Sequence, residues 1–171
     1  MVRGHGSDPL AHPRPLLRQV YAYAAYRLGP GADAEEVVSD VLERALRYRS
    51  SYDPSRGTPS AWLLGIAQRV VAEHGRRAAT VAEVPDVADP ADAMADSVER
   101  LTMDAALARL AERDRELLSL RYGADLKASQ IAQMLDMQVN AVEVALHRAL
   151  AKLRALVTDS DGLVADNVSP L

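Results

Sequence analysis

Residues 80–96 read TVAEVPDVADPADAMAD, with two prolines, five acids and no base. Proline removes a helical hydrogen bond, and a run of carboxylates repels itself. The stretch therefore reads as an extended, flexible linker that belongs to no core. It cuts a chain of 171 residues into two short pieces, and each must find its own way to bury apolar surface. Phe is absent and there is one Trp, so the cores must be made of Leu, Val, Ala and Ile. The apolar residues recur at helical spacing and nowhere alternate as strands do. The predicted fold is all-α: two small helical domains joined by an acidic linker, the C-terminal one a helix-turn-helix. The predicted boundaries are a loose arm at 1–15, a first domain at 16–79, the linker at 80–97, a second domain at 98–157 and a frayed tail at 158–171.

In the first domain a helix is predicted over Leu16 to Leu28, closed by Gly29-Pro30-Gly31. A second starts at Asp33, where Asp33 is predicted to cap the free amides while Glu36 reaches back. Val37, Val38, Val41, Leu42, Ala45 and Leu46 give it one apolar face, and Glu35, Glu36, Asp40 and Glu43 make the other face acidic. The loop YRSSYDPSRG, Tyr48 to Gly57, carries turn chemistry at Asp53-Pro54 and Arg56-Gly57. Thr58 is placed as an N-cap and Pro59 at the first helical position of a helix reaching about Arg77. Its buried side is predicted at Ala61, Leu64, Ala67 and Val71, joined by Trp62. Arg47, Arg49, Arg56, Arg69, Arg76 and Arg77 make the segment after the acidic helix basic.

The second domain restarts near Ser97, with Leu101, Ala105, Leu107, Ala108 and Leu110 as apolar positions. A helix over Asp114 to Tyr122 is predicted to end at Gly123 as its C-terminal cap. ASQIAQMLDMQVNAVEVALHRAL, 128–150, has the rhythm of helix, tight turn and helix. Ile131 and Leu135 form the stripe of the first helix, and Asp136-Met137 make the turn. Val142, Leu146, Ala149, Leu150 and Leu153 form the stripe of the second. The outward side of that second helix, which opens at Asn140, presents Glu143, Val144, His147 and Arg148. Arg148 can pair with guanine or a phosphate, His147 can donate, Glu143 can accept from cytosine and Val144 can touch a thymine methyl. The pattern is also compatible with an ordinary helical hairpin whose outer face is solvated.

Several function classes lose support. The four His are scattered, and no Ser–His–Asp spacing, phosphate loop or metal pair occurs, so no enzyme, cofactor or metal site is predicted. With no Cys there is neither a disulfide frame nor a thiolate metal site. No signal-like or membrane-spanning apolar run is present, which predicts a cytoplasmic protein. A net charge of −4 argues against a generic nucleic-acid binder, but acids and bases are segregated along the chain.

Two stretches resemble the extracytoplasmic-function group of bacterial sigma factors in the sigma-70 family. They are DAEEVVSDVLERALRYRSSYDPSRGTPSAWLLGIAQRVVAEHGRR, 33–77, and ALARLAERDRELLSLRYGADLKASQIAQMLDMQVNAVEVALHRALAKLR, 106–154. YDPSRG followed by AWLLGIA, then RELLSLRYG, IAQML and LHRALAKLR, stand in the family's order with a linker between.

The resemblance implies a first domain that reads the promoter −10 element and a second that reads the −35 element. It implies a non-enzymatic partner of core RNA polymerase that binds promoter DNA, and an anti-sigma factor as a further partner. Glu36, Ser39, Asp40 and Glu43 would then dock on polymerase. The loop residues Ser50, Ser51, Tyr52, Ser55 and Arg56 would hold a flipped −10 base, with Arg69, Arg76 and Arg77 on phosphates. Asn140, Glu143, Val144, His147 and Arg148 would face the −35 element. Asp53-Pro54 is read as a plain surface turn and Trp62 as core. The sequence departs from the family at Ser39, where a long amide is common. It departs also at Lys127, which cannot cap, and at Glu143 and Ala145, where bases are common. The rival is a conventional helix-turn-helix regulator that binds operator DNA without polymerase.

Overall fold

Helices account for nearly all of the chain described by the computed structural model, residues 8–81 and 96–165. In order they are α1 (Pro13–Leu28), α2 (Ala32–Arg47), α3 (Pro59–Val81), α4 (Asp96–Arg109), α5 (Glu112–Leu118), α6 (Ala128–Leu135) and α7 (Val139–Ala165). A 3-10 turn, Arg49–Ser51, follows α2, and a π-helical turn, Ser119–Gly123, extends α5. The all-α, two-domain architecture is as the sequence implies. Most of the predicted linker, and the ends of the predicted arm and tail, lie outside the described residues.

Several local expectations are corrected. The arm is shorter than 1–15: α1 begins at Pro13, because the first-turn amides have no partner to lose and Pro13 and Pro15 fit there. Asp8 is already held, accepting from the Leu10 amide at 3.0 Å and from Arg49 Nε at 2.8 Å. Asp33 does not cap α2. Gly31 occupies that position at φ 117° with no side-chain cap bond, and Asp33 lies inside the first turn, where its charge suits the positive helix end. Thr58 does cap α3, its hydroxyl accepting from the Ala61 amide at 3.2 Å. The stretch from Thr158 to Ala165 is not tail but the end of α7. Leu46 and Leu101, placed on apolar faces by spacing, are 55% and 64% exposed.

The two domains share a core. Val20, Tyr23 and Ala24 of α1, Val37 and Val41 of α2, and Leu63, Leu64 and Ala67 of α3 form one buried cluster with Leu117 of α5, Leu120, Leu126, Ile131 and Val142. Burying a side chain of this kind stabilises by about 1.5–3 kcal/mol. A smaller cluster holds the second domain together through Ala106, Leu107, Leu110, Leu118, Ala149 and Leu153, with Tyr26 of α1 packed on its edge.

Gly123 explains how close the domains come. It lacks the left-handed φ of a cap glycine, so the predicted cap role fails. A Cβ built there would lie 2.9 Å from the Ala22 carbonyl oxygen and 3.1 Å from Tyr23 Cα. Glycine is required by the backbone of α1, not by the end of α5. Beside this contact Gln19 Nε2 donates to the Ala124 carbonyl. Tyr23 and Arg27 of α1 and Gln68 of α3 all converge on Glu116 of α5.

Candidate nucleic-acid interface

The loop after α2 is folded by its own side chains. Asp53 accepts from the Ser55 hydroxyl at 2.7 Å and the Ser55 amide at 2.9 Å. These bonds hold its carboxyl below the usual carboxylate range, so Asp53-Pro54 is a built turn. Ser51 donates to the Tyr48 carbonyl at 2.6 Å, and the Tyr52 hydroxyl donates to the Gly57 carbonyl at 3.0 Å. Tyr52 and Trp62 meet at a ring-centroid distance of 5.6 Å with planes tilted by 59°. Trp62 is half-buried and packs against the core. Ser50, Ser55 and Arg56 are exposed.

Beneath the loop lies a cavity of about 370 Å³. The first domain contributes Tyr52, Arg56, Thr58, Trp62 and Gln68. The far wall is Gln130, Gln133 and Met134 of α6. Two aromatic rings, a guanidinium and amide groups suit a flat, hydrogen-bonding ring. Ser50 and Ser55 are not on its wall, whereas Ser51, Tyr52 and Arg56 are.

Arg69, Arg76 and Arg77 lie exposed along α3. Between α2 and α3, Arg44 grips Glu73 with two bonds of 2.9 and 2.5 Å, which hold the Glu73 carboxyl below its usual range. That neutralises an acid close to Arg76 and Arg77. On α2, Glu36, Ser39 and Glu43 are exposed and Asp40 is half-buried. Ser39 donates back to the Glu35 carbonyl at 3.2 Å, so it offers less to a partner than its neighbours do. Glu43 pairs with Arg47 at 2.8 Å. Glu36 lies 3.5 Å from His74. Asp33, Glu36 and His74 come within metal-ligating reach of one another. Both carboxylates sit at the positive end of α2, which disfavours a cation there.

The helix-turn-helix is α6, a turn and α7. Lys127 has no acceptor and cannot cap α6; instead Gln130 Oε1 accepts from the Lys127 amide at 2.9 Å. Asp136 makes the turn in the left-handed region at φ 52°. Asn140, Glu143, Val144, His147 and Arg148 are all exposed, while Val142, Ala149 and Leu153 are buried behind them. A groove along this face is lined by Asn140, Val144 and Arg148, and also by Arg113 of α5 and Lys152 of α7. Spacing along α7 alone does not reveal Arg113, which arrives from another helix. Lys152 is anchored by Asp114 at 2.6 Å.

The Sigma-70 region 2 family matches residues 14–80, and the Sigma-70 region 4 family matches 100–153. The ECF RNA polymerase sigma factor ShbA of Streptomyces griseus is 38% identical over 169 residues, covering 87% of this chain and 85% of that protein. The chain belongs to the ECF sigma factors of the sigma-70 family. It is therefore a DNA-binding initiation factor that directs promoter-specific transcription with RNA polymerase and is not an enzyme. SigF of Caulobacter vibrioides is 29% identical over 170 residues, covering 95% of this sigma factor and 94% of its own length. BldN of Streptomyces coelicolor is 28% identical over 149 residues; the match spans 82% of this sigma factor but 56% of BldN. In fold, the sigma factor resembles RpoE of Bartonella quintana, solved with the anti-sigma factor NepR. That match has a TM-score of 0.66 at 20% identity, over 84% of this chain and 92% of RpoE. It also resembles CnrH, solved with the cytosolic domain of CnrY, with a TM-score of 0.59 at 25% identity over 86% and 83% of the two chains. Among the described residues of the sigma factor no helix is long and apolar enough to cross a membrane.

Proposed function

We propose that this sigma factor, acting in the cytoplasm, docks on core RNA polymerase through the acidic face of α2, Glu36, Asp40 and Glu43, with Ser39 a minor contact. The domain of about 16–79 reads the −10 element and that of about 98–157 the −35 element. Ser51, Tyr52 and Arg56 hold an unstacked −10 base over Trp62, with Ser50 and Ser55 at the loop rim. Arg69, Arg76 and Arg77 follow the strand by its phosphates. Asn140, Glu143, Val144, His147 and Arg148 meet the −35 duplex, with Arg113 and Lys152 on flanking phosphates.

The observation that carries this reading is the aromatic-walled cavity beneath the Tyr48–Gly57 loop. A protein that only gripped duplex operator DNA through α7 would have no use for it. An anti-sigma factor is a further partner in this reading, since RpoE was solved with the anti-sigma factor NepR and CnrH with the cytosolic domain of CnrY.

Run-off transcription with core polymerase over sheared genomic DNA, with and without the protein, tests the reading. Discrete new 5′ ends are expected. Binding to duplex DNA by the protein alone, with no new starts, would make it a conventional regulator. Polymerase binding without new starts would mean that Glu143 and Ala145 mark a helix that no longer reads.

A further inference from the structure

We infer that Asp8-Pro9-Leu10 is a brace for the loop proposed to read the −10 element, and that Asp8 is a positioning residue for it: by holding Arg49 it fixes the turn from which Tyr52 reaches the cavity. The inference rests on the −10 assignment above and adds what keeps that reader in shape.

The brace starts from a fixed point. Pro9 is buried and Leu10 packs against the main core. The Asp8 carboxylate turns back on this anchor, accepting from the Leu10 amide at 3.0 Å, and the Asp8 carbonyl accepts from the Ala11 amide at 3.1 Å. A carboxylate held in this way has little freedom left to lose when it meets a partner. The partner is Arg49, which donates from Nε at 2.8 Å and from Nη2 to the second carboxylate oxygen. Two parallel bonds fix the plane of the guanidinium as well as its position.

Arg49 opens the 3-10 turn Arg49–Ser51. Its carbonyl accepts from the Tyr52 amide at 3.3 Å, and the Tyr52 ring meets Trp62 at 5.6 Å on the cavity wall. Among the described residues, the other side-chain hydrogen bonds of the Tyr48–Gly57 loop join loop residues to one another. Those bonds shape the loop, whereas the bonds from Arg49 to Asp8 tie it to a segment packed on the core. The side chains of Arg49 and Asp8 are 52% and 34% exposed, and a pair so placed adds little to global stability. Its consequence is local. A loop with fewer conformations loses less freedom when it meets a strand, and binds more tightly for it.

The lone tryptophan, Trp62, reports on the loop without DNA. Asp8→Asn keeps an acceptor for the Leu10 amide and turns an NH2 group toward Arg49. In the free full-length protein it should leave the urea midpoint unchanged and increase acrylamide quenching of Trp62. With core polymerase, on a promoter mapped by the run-off experiment above, it should lower open-complex formation, read by permanganate reactivity of unpaired thymines. If the untied loop holds its reading shape ~20% of the time, the loss is about fivefold. Affinity for core polymerase should not change. Arg49→Gln should give the same loss, the double variant no greater one, and Asp8→Glu should recover part of it. A lowered urea midpoint, unchanged quenching of Trp62, or intact opening where Tyr52→Ala loses it overturns the brace. So does a gain in opening from Asp8→Asn, which would make Asp8 a competitor of DNA phosphate for Arg49. A salt slope lower by about one unit in Arg49→Gln would make Arg49 a phosphate contact instead. If Trp62 responds as described but neither Asp8→Asn nor Tyr52→Ala alters opening, the −10 assignment fails and the brace stands for a loop with another task.

Discussion

The Tyr23 hydroxyl of α1 donates to Glu116 of α5, its oxygen 2.9 and 3.1 Å from the two carboxylate oxygens, across 93 residues of sequence. Tyr23 is fully buried and Glu116 keeps Arg27 and Gln68 as further donors. Tyr23→Phe should therefore cost about 1–2 kcal/mol in urea unfolding, toward the lower part of the range for a bond to a charged group. A loss below a few tenths would show that Arg27 and Gln68 satisfy Glu116 alone.

The same pair sets an alkaline limit. Burial, followed by the Glu116 charge, pushes the Tyr23 phenol well above its ordinary 10.0. The folded value is raised, so the stability it represents is intact below pH 10 and is lost as pH climbs toward the folded value. The difference between the phenolate absorbance titrations of the wild type and Tyr23→Phe should show one tyrosine ionising late, together with unfolding.

Asp136 holds the helix-turn-helix turn at φ 52°, a conformation that costs a non-glycine residue about 1 kcal/mol. Asp136→Gly should raise the unfolding free energy by up to ~1 kcal/mol. A decrease would mean that the Asp136 side chain compensates the strain.

Arg148 is exposed in the groove it shares with Arg113 and Lys152. Arg148→Ala should lower transcription from −35-dependent promoters by about tenfold, the worth of a good base contact, with polymerase affinity unchanged. Arg113→Ala should weaken all such promoters alike and reduce the salt slope by about one unit. Sequence-dependent loss from Arg113→Ala would make it a base reader.

Asp40→Lys combined with Glu43→Lys should weaken core polymerase binding without altering the helical content of the free protein. Unchanged affinity would place the docking surface elsewhere.

The helices were legible because their apolar residues repeat with a period near 3.6. Thr58 was legible as a cap since its partner lies three residues away. What spacing does not report is contact between distant segments. Gly123 reads locally as a helix stop, yet its reason lies at Ala22. Glu116 falls on no apolar stripe, and only the fold brings three donors from α1 and α3 to it. Asp33 failed as a cap because Gly31, with a wider choice of φ, starts α2 two residues earlier. Arg113 joins the groove on the outer face of α7 from α5, so the poor basicity of α7 alone understates the positive charge of that face.

Helix α7 runs unbroken from Val139 to Ala165, 27 residues, or about 40 Å of rod. Asn140 and Arg148 ride on its first turns, and Leu153, Leu156 and Val157 fasten it further along to the cluster of α4 and α5. It is a rod pinned at many points from Val142 to Val157. A protein that gripped it around Thr158 would hold the same rigid element that carries Asn140 and Arg148, without ever coming near them.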